Sequence, residues 1–193
     1  KNAMRQAPDV ILVGEIRDRE TMSASLAYAQ TGHLCLATMH ASNSYQALNR
    51  ILTFYPEEVR PTLLSDLASS LAAIVSQRLM RTVDGKRVPA CEVLLNSKLV
   101  SELIEKGDIF GVKEAMVKSM TEGSQTFEED IARLVQSGRV AREEGLLHAD
   151  SPTNLLWRLQ NTSPVSQTNS LAPTRADEGP EALFSEITLD MGD

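Results

Sequence analysis

Two short apolar runs, "VILV" at Val10–Val13 and "HLCLATMH" at His33–His40, are separated by one segment of helical length. This arrangement limits the architecture more than any other feature of the chain. The apolar residues in each run are continuous rather than alternating, the pattern of a parallel strand covered on both faces. Between them, from Arg19 or Glu20 to about Gln30, Met22, Leu26 and Ala29 share one side of a predicted helix, and Gly32 stops it. Strand, helix and strand within about 30 residues imply a right-handed crossover and a parallel sheet. The fold class is therefore α/β.

The rest of the chain reads as further elements around that unit. Pro8-Asp9 ends an opening amphipathic turn, Lys1 to Gln6, which has no cap before it and no initiating Met; the expectation is a chain that starts inside a domain. "ASNS", Ala41 to Ser44, supplies caps for a helix through Leu48, Ile51 and Leu52. Pro61 opens a long helix expected to reach Arg78, on the recurrence of Leu64, Leu67, Leu71, Ile74 and Val75. Asp84-Gly85 predicts a hairpin turn between Leu79-Met80-Arg81 and the strand-like Ala90 to Leu95. Beyond Ser97 five short helices are expected, at about 98–106, 109–119, 126–137, 141–148 and 151–160, with Thr126 and Ser151 as caps. The division that follows is 1–96, 97–160 and a disordered acidic tail at 161–193 in which Leu183, Phe184 and Ile187 stand out as apolar.

Charge excludes some functions. The net charge is −7, and from Thr162 onward six acids face one base, so the tail holds −5 of it. The near-neutral body offers no electrostatic case for nucleic-acid binding. No apolar run reaches the roughly 20 residues of a membrane span, so no membrane insertion is expected. Cys35 and Cys91 form no CxxC pair, which argues against a zinc site or disulfide framework and fits a reducing cytoplasm.

In an open parallel sheet ligands bind at the carboxyl ends of the strands. Glu15 follows its strand at that edge, where a carboxylate can hold Mg2+ or its water beside phosphate oxygens. His33 and His40 bracket the second strand, and His40 falls at the same edge as Glu15. Arg17, with its rigid fork of donors, is a phosphate or subunit-contact candidate. A plainer reading stands beside this one: Glu15 and Asp18 as solvated loop charges paired with Arg17 and Arg19, and both histidines as ordinary strand ends.

"MRQAPDVILVGEIRD", Met4 to Asp18, resembles the signature of the secretion-ATPase superfamily of type II secretion and type IV pili, matching at Arg5, Pro8, Asp9, Ile11 to Glu15, Ile16, Arg17 and Asp18. "TGHLCLATMHASN", Thr31 to Asn43, resembles the histidine box of the same family at the expected distance. The resemblance implies the C-terminal half of a RecA-like P-loop ATPase domain, followed by a small all-α region, in a motor that assembles as a homo-hexamer. It makes Pro8 to Asp18 the Walker B region, with Gly14 and Glu15 at the nucleotide, Glu15 acting on Mg2+ through water, and His33 and His40 as the box near the γ-phosphate; Arg17 joins them as a catalytic candidate, and ATP and Mg2+ are the implied cofactors. Ser76-Gln77-Arg78-Leu79 leads directly into "MRTVDGKRVPACEVLL" without a four-cysteine insertion, so the layout resembles the retraction ATPases, the PilT/PilU family. "EGSQTFEEDIARLVQSGRV" resembles their "GMQTF" helix with Ser124 in place of Met. The retraction element "AIRNLI" aligns with Leu99 to Ile104 and holds Ser101 at its Arg position, which, with "ADSPTNLLWRL" and the acidic tail, favours the accessory PilU branch. Implied partners are further copies, PilT, and the inner-membrane platform protein of the pilus, at the cytoplasmic face of that membrane.

No G-x-x-x-x-G-K-[ST] occurs in the sequence; the one Gly-Lys pair, Gly85-Lys86, lies in the predicted hairpin. Phosphoryl transfer depends on positioning and charge, so this chain by itself is expected not to turn over ATP, and half a parallel sheet is expected to leave an apolar edge and face uncovered. Two alternatives remain open at this stage: a catalytically inactive binding module that joins a PilT/PilU hexamer, and a sister type II secretion ATPase.

Overall fold

The computed structural model describes residues 8–118 and 122–161; the opening turn and the acidic tail expected above lie outside them. The elements run β1 (Val10–Glu15), α1 (Arg19–Gln30), β2 (Leu34–Thr38), α2 (Ser44–Thr53), a 3-10 turn (Glu57–Val59), α3 (Arg60–Ser70), β3 (Ala73–Arg81), β4 (Arg87–Leu95), α4 (Lys98–Glu105), α5 (Ile109–Lys118), α6 (Phe127–Gln136), α7 (Arg142–His148) and α8 (Pro152–Asn161).

The expected crossover is present. β1 and β2 pair in parallel from Val10↔Leu34 to Glu15↔Thr38, with α1 between them in sequence. Asp18 caps α1, its Oδ1 accepting from the Thr21 amide at 2.8 Å, and Gly32, at φ +90°, turns the chain after the helix. Burial of the two strands differs from the expectation of cover on both faces. Ile11 is buried, and Val13 is half-buried against the core that holds Ile16, Met22 and Leu26, whereas Leu12 is 75% and Leu34 53% exposed. A two-stranded sheet has one packed face here, so continuous apolar runs leave half their side chains in water, as the half-sheet reading anticipated.

The long helix expected from Pro61 to Arg78 is two elements. α3 stops at Ser70, Leu71 turns extended at ψ 128°, and β3 pairs antiparallel with β4 without a break from Ala73↔Leu95 to Arg81↔Arg87. The physical reason lies 25 residues downstream. Asn96 Nδ2 donates to the carbonyls of Ala68 and Leu71 at 2.9 and 2.8 Å, and Ser101 Oγ donates to Ala68 O at 2.8 Å. These donors satisfy carbonyls that another helical turn would have used. Leu64, Leu67, Leu71, Ile74 and Val75 sit at helical spacing, but Ile74 and Val75 belong to a strand whose side chains alternate in burial. Ser101 thus has a structural role in this chain, its hydroxyl satisfying a carbonyl at the end of α3.

The hairpin joins two cores. Leu94 packs with Leu48, Leu67, Val100, Ile104 and Val112, while Met80, Val88 and Ala90 pack with Phe127, Ile131 and Leu155. α6 is closed at its start by a capping box: Thr126 Oγ1 accepts from the Glu129 amide at 3.3 Å and Glu129 Oε2 accepts from the Thr126 amide at 2.8 Å. Thr126→Ala is expected to lower the unfolding free energy by about 1 kcal/mol, read as a shift in denaturant midpoint at constant m-value.

Candidate functional site

Glu15 is the last residue of β1 and lies next to a register irregularity between Val13 and Glu15. Ile16 N donates to Thr38 O at 2.8 Å and Thr38 Oγ1 to Gly14 O, so the ends of both strands are tied at the point where the carboxylate emerges. A Cβ at Gly14 would meet no atom within 4 Å, which leaves that edge of the backbone open to close approach.

Two donors converge on Glu15. Arg17 Nε donates to Oε2 at 2.7 Å and its Nη2 lies 2.5 Å from the same oxygen. His40 Nε2, from just beyond β2, lies 3.3 Å from Oε1. The Glu15 side chain is 21% exposed, against 75% for Arg17 and 82% for His40. The hydrogen bond from Arg17 holds the Glu15 carboxyl below its ordinary range, with the charges of Arg17, His40 and Arg50 acting in the same direction. Glu15 is therefore an ionised acceptor at neutral pH, flanked by two exposed donors. Arg50 Nη1 donates to His40 O at 3.0 Å and fixes the backbone from which the imidazole projects.

The structure separates the other histidine of the box from this cluster. His33 precedes β2, its Nδ1 within 3.0 Å of Thr31 Oγ1 and 3.2 Å of Tyr28 O. The strand puts about 17 Å between it and the end where Glu15 and His40 meet. Asp18 is engaged as the α1 cap, and its carboxyl is held low by the Thr21 amide.

A second polar group escaped the sequence reading. The inward face of β4 reads Val88, Ala90, Glu92, Leu94, and Glu92 is 7% exposed. Ser44 donates to Glu92 Oε1 from both its amide, at 2.7 Å, and its hydroxyl, at 2.6 Å. Burial nevertheless pushes the Glu92 carboxyl up. Beside it on the hairpin, Arg78 donates to His148 O at 2.6 Å and Ser42 O at 3.1 Å, pairs with Asp150, and lies 3.9 Å from the centroid of the Phe127 ring. The signal was available: in a period-two strand, a Glu in phase with Val88, Ala90 and Leu94 is a buried carboxylate. Cys35, whose thiol burial pushes up, is no poised thiolate.

The donor set fits a phosphate-bound metal better than a metal held by protein alone. One ionised carboxylate and two donors suit a cation that keeps water and phosphate oxygens, and no group of three or more His, Cys, Asp or Glu able to hold a metal occurs among the described residues. No described helix is long and apolar enough to cross a membrane.

The family model for type II/IV secretion system proteins matches residues 1–145. The type IV pilus ATPase PilU of Pseudomonas aeruginosa is 45% identical over 193 residues, covering 98% of this chain and 48% of that protein. The retraction ATPase PilT of the same organism is 32% identical over 154 residues, covering 80% and 45%. The crystal structure of the pilus retraction motor PilT with bound ADP superimposes with a TM-score of 0.72 at 31% identity, covering 80% of this chain and 43% of that one. The chain thus spans about half the length of the relatives it matches. It is α/β, with the ATPase-domain fold of PilT over the part they share, and it belongs to the type II/IV secretion system protein family, alongside the pilus ATPases PilU and PilT.

Proposed function

We propose that this chain is the Walker B and histidine-box half of an ATP-hydrolysing motor that retracts a type IV pilus. The observation that carries the reading is the convergence of Arg17 and His40 on the ionised Glu15 at the carboxyl end of a parallel strand pair. Glu15, with the open backbone at Gly14 beside it, would hold Mg2+ through water, while Arg17 and the His40 Nε2–H donate to phosphate oxygens. ATP with its Mg2+ supplies the transferable phosphoryl group and the metal's positive charge. The protein's part is to fix donors and carboxylate where negative charge moves, which is most of what catalysis of this reaction requires.

The kinship with PilU supports a finer reading: a homo-hexameric motor that also associates with PilT, works at the cytoplasmic face of the inner membrane, and passes its motion to the platform protein of the pilus. The sequence has no phosphate loop, so turnover belongs to a chain that includes one and not to these 193 residues alone. Expressed with in-frame upstream coding sequence that carries such a loop, the protein is expected to release phosphate from Mg-ATP. His40→Ala is expected to lower kcat about tenfold or more without changing the thermal melt, and His33→Ala to have the smaller effect. Absence of a phosphate loop upstream, together with binding to PilT hexamers, would replace this reading by the inactive binding module; unaltered kinetics in His40→Ala would return that residue to an ordinary strand end.

A further inference from the structure

Three consecutive residues just past His40 are each held by the side chain of a distant element. Arg78 of β3 donates from Nη2 to Ser42 O at 3.1 Å. Asn43 Nδ2 donates to Asp150 Oδ2 at 2.8 Å, between α7 and α8. Ser44 donates twice to Glu92 Oε1, from its amide and its hydroxyl. Asn43 also caps α2 through its own side chain, accepting from Gln46 N at 2.8 Å. The partners lie 36, 107 and 48 positions from the residues they hold, so no local preference of the loop accounts for the arrangement.

The holders are themselves braced. Arg78 and Glu92 occupy the inward face of the hairpin, between the Ile74–Leu94 pair of one core and the Met80–Val88 pair of the other. Arg78 pairs with Asp150, donates to His148 O at 2.6 Å, and stacks on Phe127. An apolar residue at position 92 would continue the row of Val88, Ala90 and Leu94 without the cost of burying a carboxylate. The carboxylate instead accepts the two donors at the first residue of α2, four residues from His40.

We propose that Glu92, with Arg78 and Asp150, is a positioning residue for His40. Acting through Ser42, Asn43 and Ser44, the three side chains fix the segment that aims the imidazole at Glu15, while Arg50 holds the His40 carbonyl from the other side. None of the three reaches the site itself. The inference rests on the reading of His40 as a phosphate donor.

The test is steady-state hydrolysis of Mg-ATP by the full-length chain that includes the phosphate loop, with Glu92→Leu, Glu92→Gln and Asp150→Ala each made alone and on a His40→Ala background. Glu92→Leu is expected to lower kcat about tenfold, in line with the large penalty for small displacements of catalytic groups, while KM for ATP stays within about twofold. Glu92→Gln, which keeps an acceptor for Ser44, is expected to recover most of the rate. On the His40→Ala background the clamp variants are expected to add nothing further, because their whole effect passes through His40. If Glu92→Leu loses its cooperative melt, Asp150→Ala carries the same comparison. Losses that multiply in the double variants, or single variants at full rate, would overturn the clamp while leaving the function intact. A His40→Ala enzyme with normal kcat would instead overturn the reading of His40, and the clamp with it.

Discussion

Glu15→Ala, in a chain that carries the phosphate loop, is expected to lower kcat for ATP hydrolysis by about 10²- to 10³-fold, the range for removal of one preorganised electrostatic group. Nucleotide affinity is expected to change only a few-fold. The fold should survive because the partners left behind, Arg17 and His40, are largely exposed, and exposed ion pairs contribute little to stability. Unchanged melting with lost turnover separates a chemical role from a structural one. The pH dependence sharpens this. The hydrogen bond from Arg17 holds the Glu15 carboxyl below its ordinary range, so the group stays ionised down to that range, and its protonation contributes no loss of rate above it. Wild-type turnover in the variant, measured by phosphate release at saturating Mg-ATP, would remove Glu15 from the mechanism.

Phe127→Ala is expected to cost about 3–5 kcal/mol of unfolding free energy, the range for truncating a buried aromatic residue. Phe127 is fully buried with Met80, Ile131 and Leu155, and its face supports the Arg78 guanidinium, an interaction that adds to the apolar term when desolvated. Domains of this size hold only about 5–15 kcal/mol in total, so the variant should sit near its unfolding threshold at room temperature. Urea or guanidinium titration followed by circular dichroism checks it, and a loss under about 1 kcal/mol would mean that the helices α6 to α8 pack without this ring as their anchor. Because Phe127 also backs Arg78, a folded Phe127→Leu protein should lose rate in the same manner as Asp150→Ala.

Local chemistry decided a large part of this molecule. Continuous apolar runs on either side of an amphipathic segment marked the parallel crossover; the Ala41–Ser44 segment and Thr126 marked helix starts because side chains such as those of Asn43 and Thr126 reach amides only three residues on; and Asp84-Gly85 marked the hairpin, with Gly85 at φ +80°. The convergence of Glu15 and His40 was legible for the same reason, since parallel pairing brings the ends of consecutive strands to one edge. What remained hidden depends on contacts that no short window contains. Asn96 ends α3 from 25 and 28 residues away. Arg78 and Glu92 face inward and meet Ser42, Ser44 and Asp150 only once the hairpin has folded against α2 and the junction before α8. The separation of His33 from His40, by contrast, was legible, because the two bracket an extended strand whose rise per residue is fixed. Secondary-structure signals extend over one helical turn or two strand residues. The choice of which face is covered, where a helix stops and which carboxylate is buried is made by side chains brought together from distant parts of the chain.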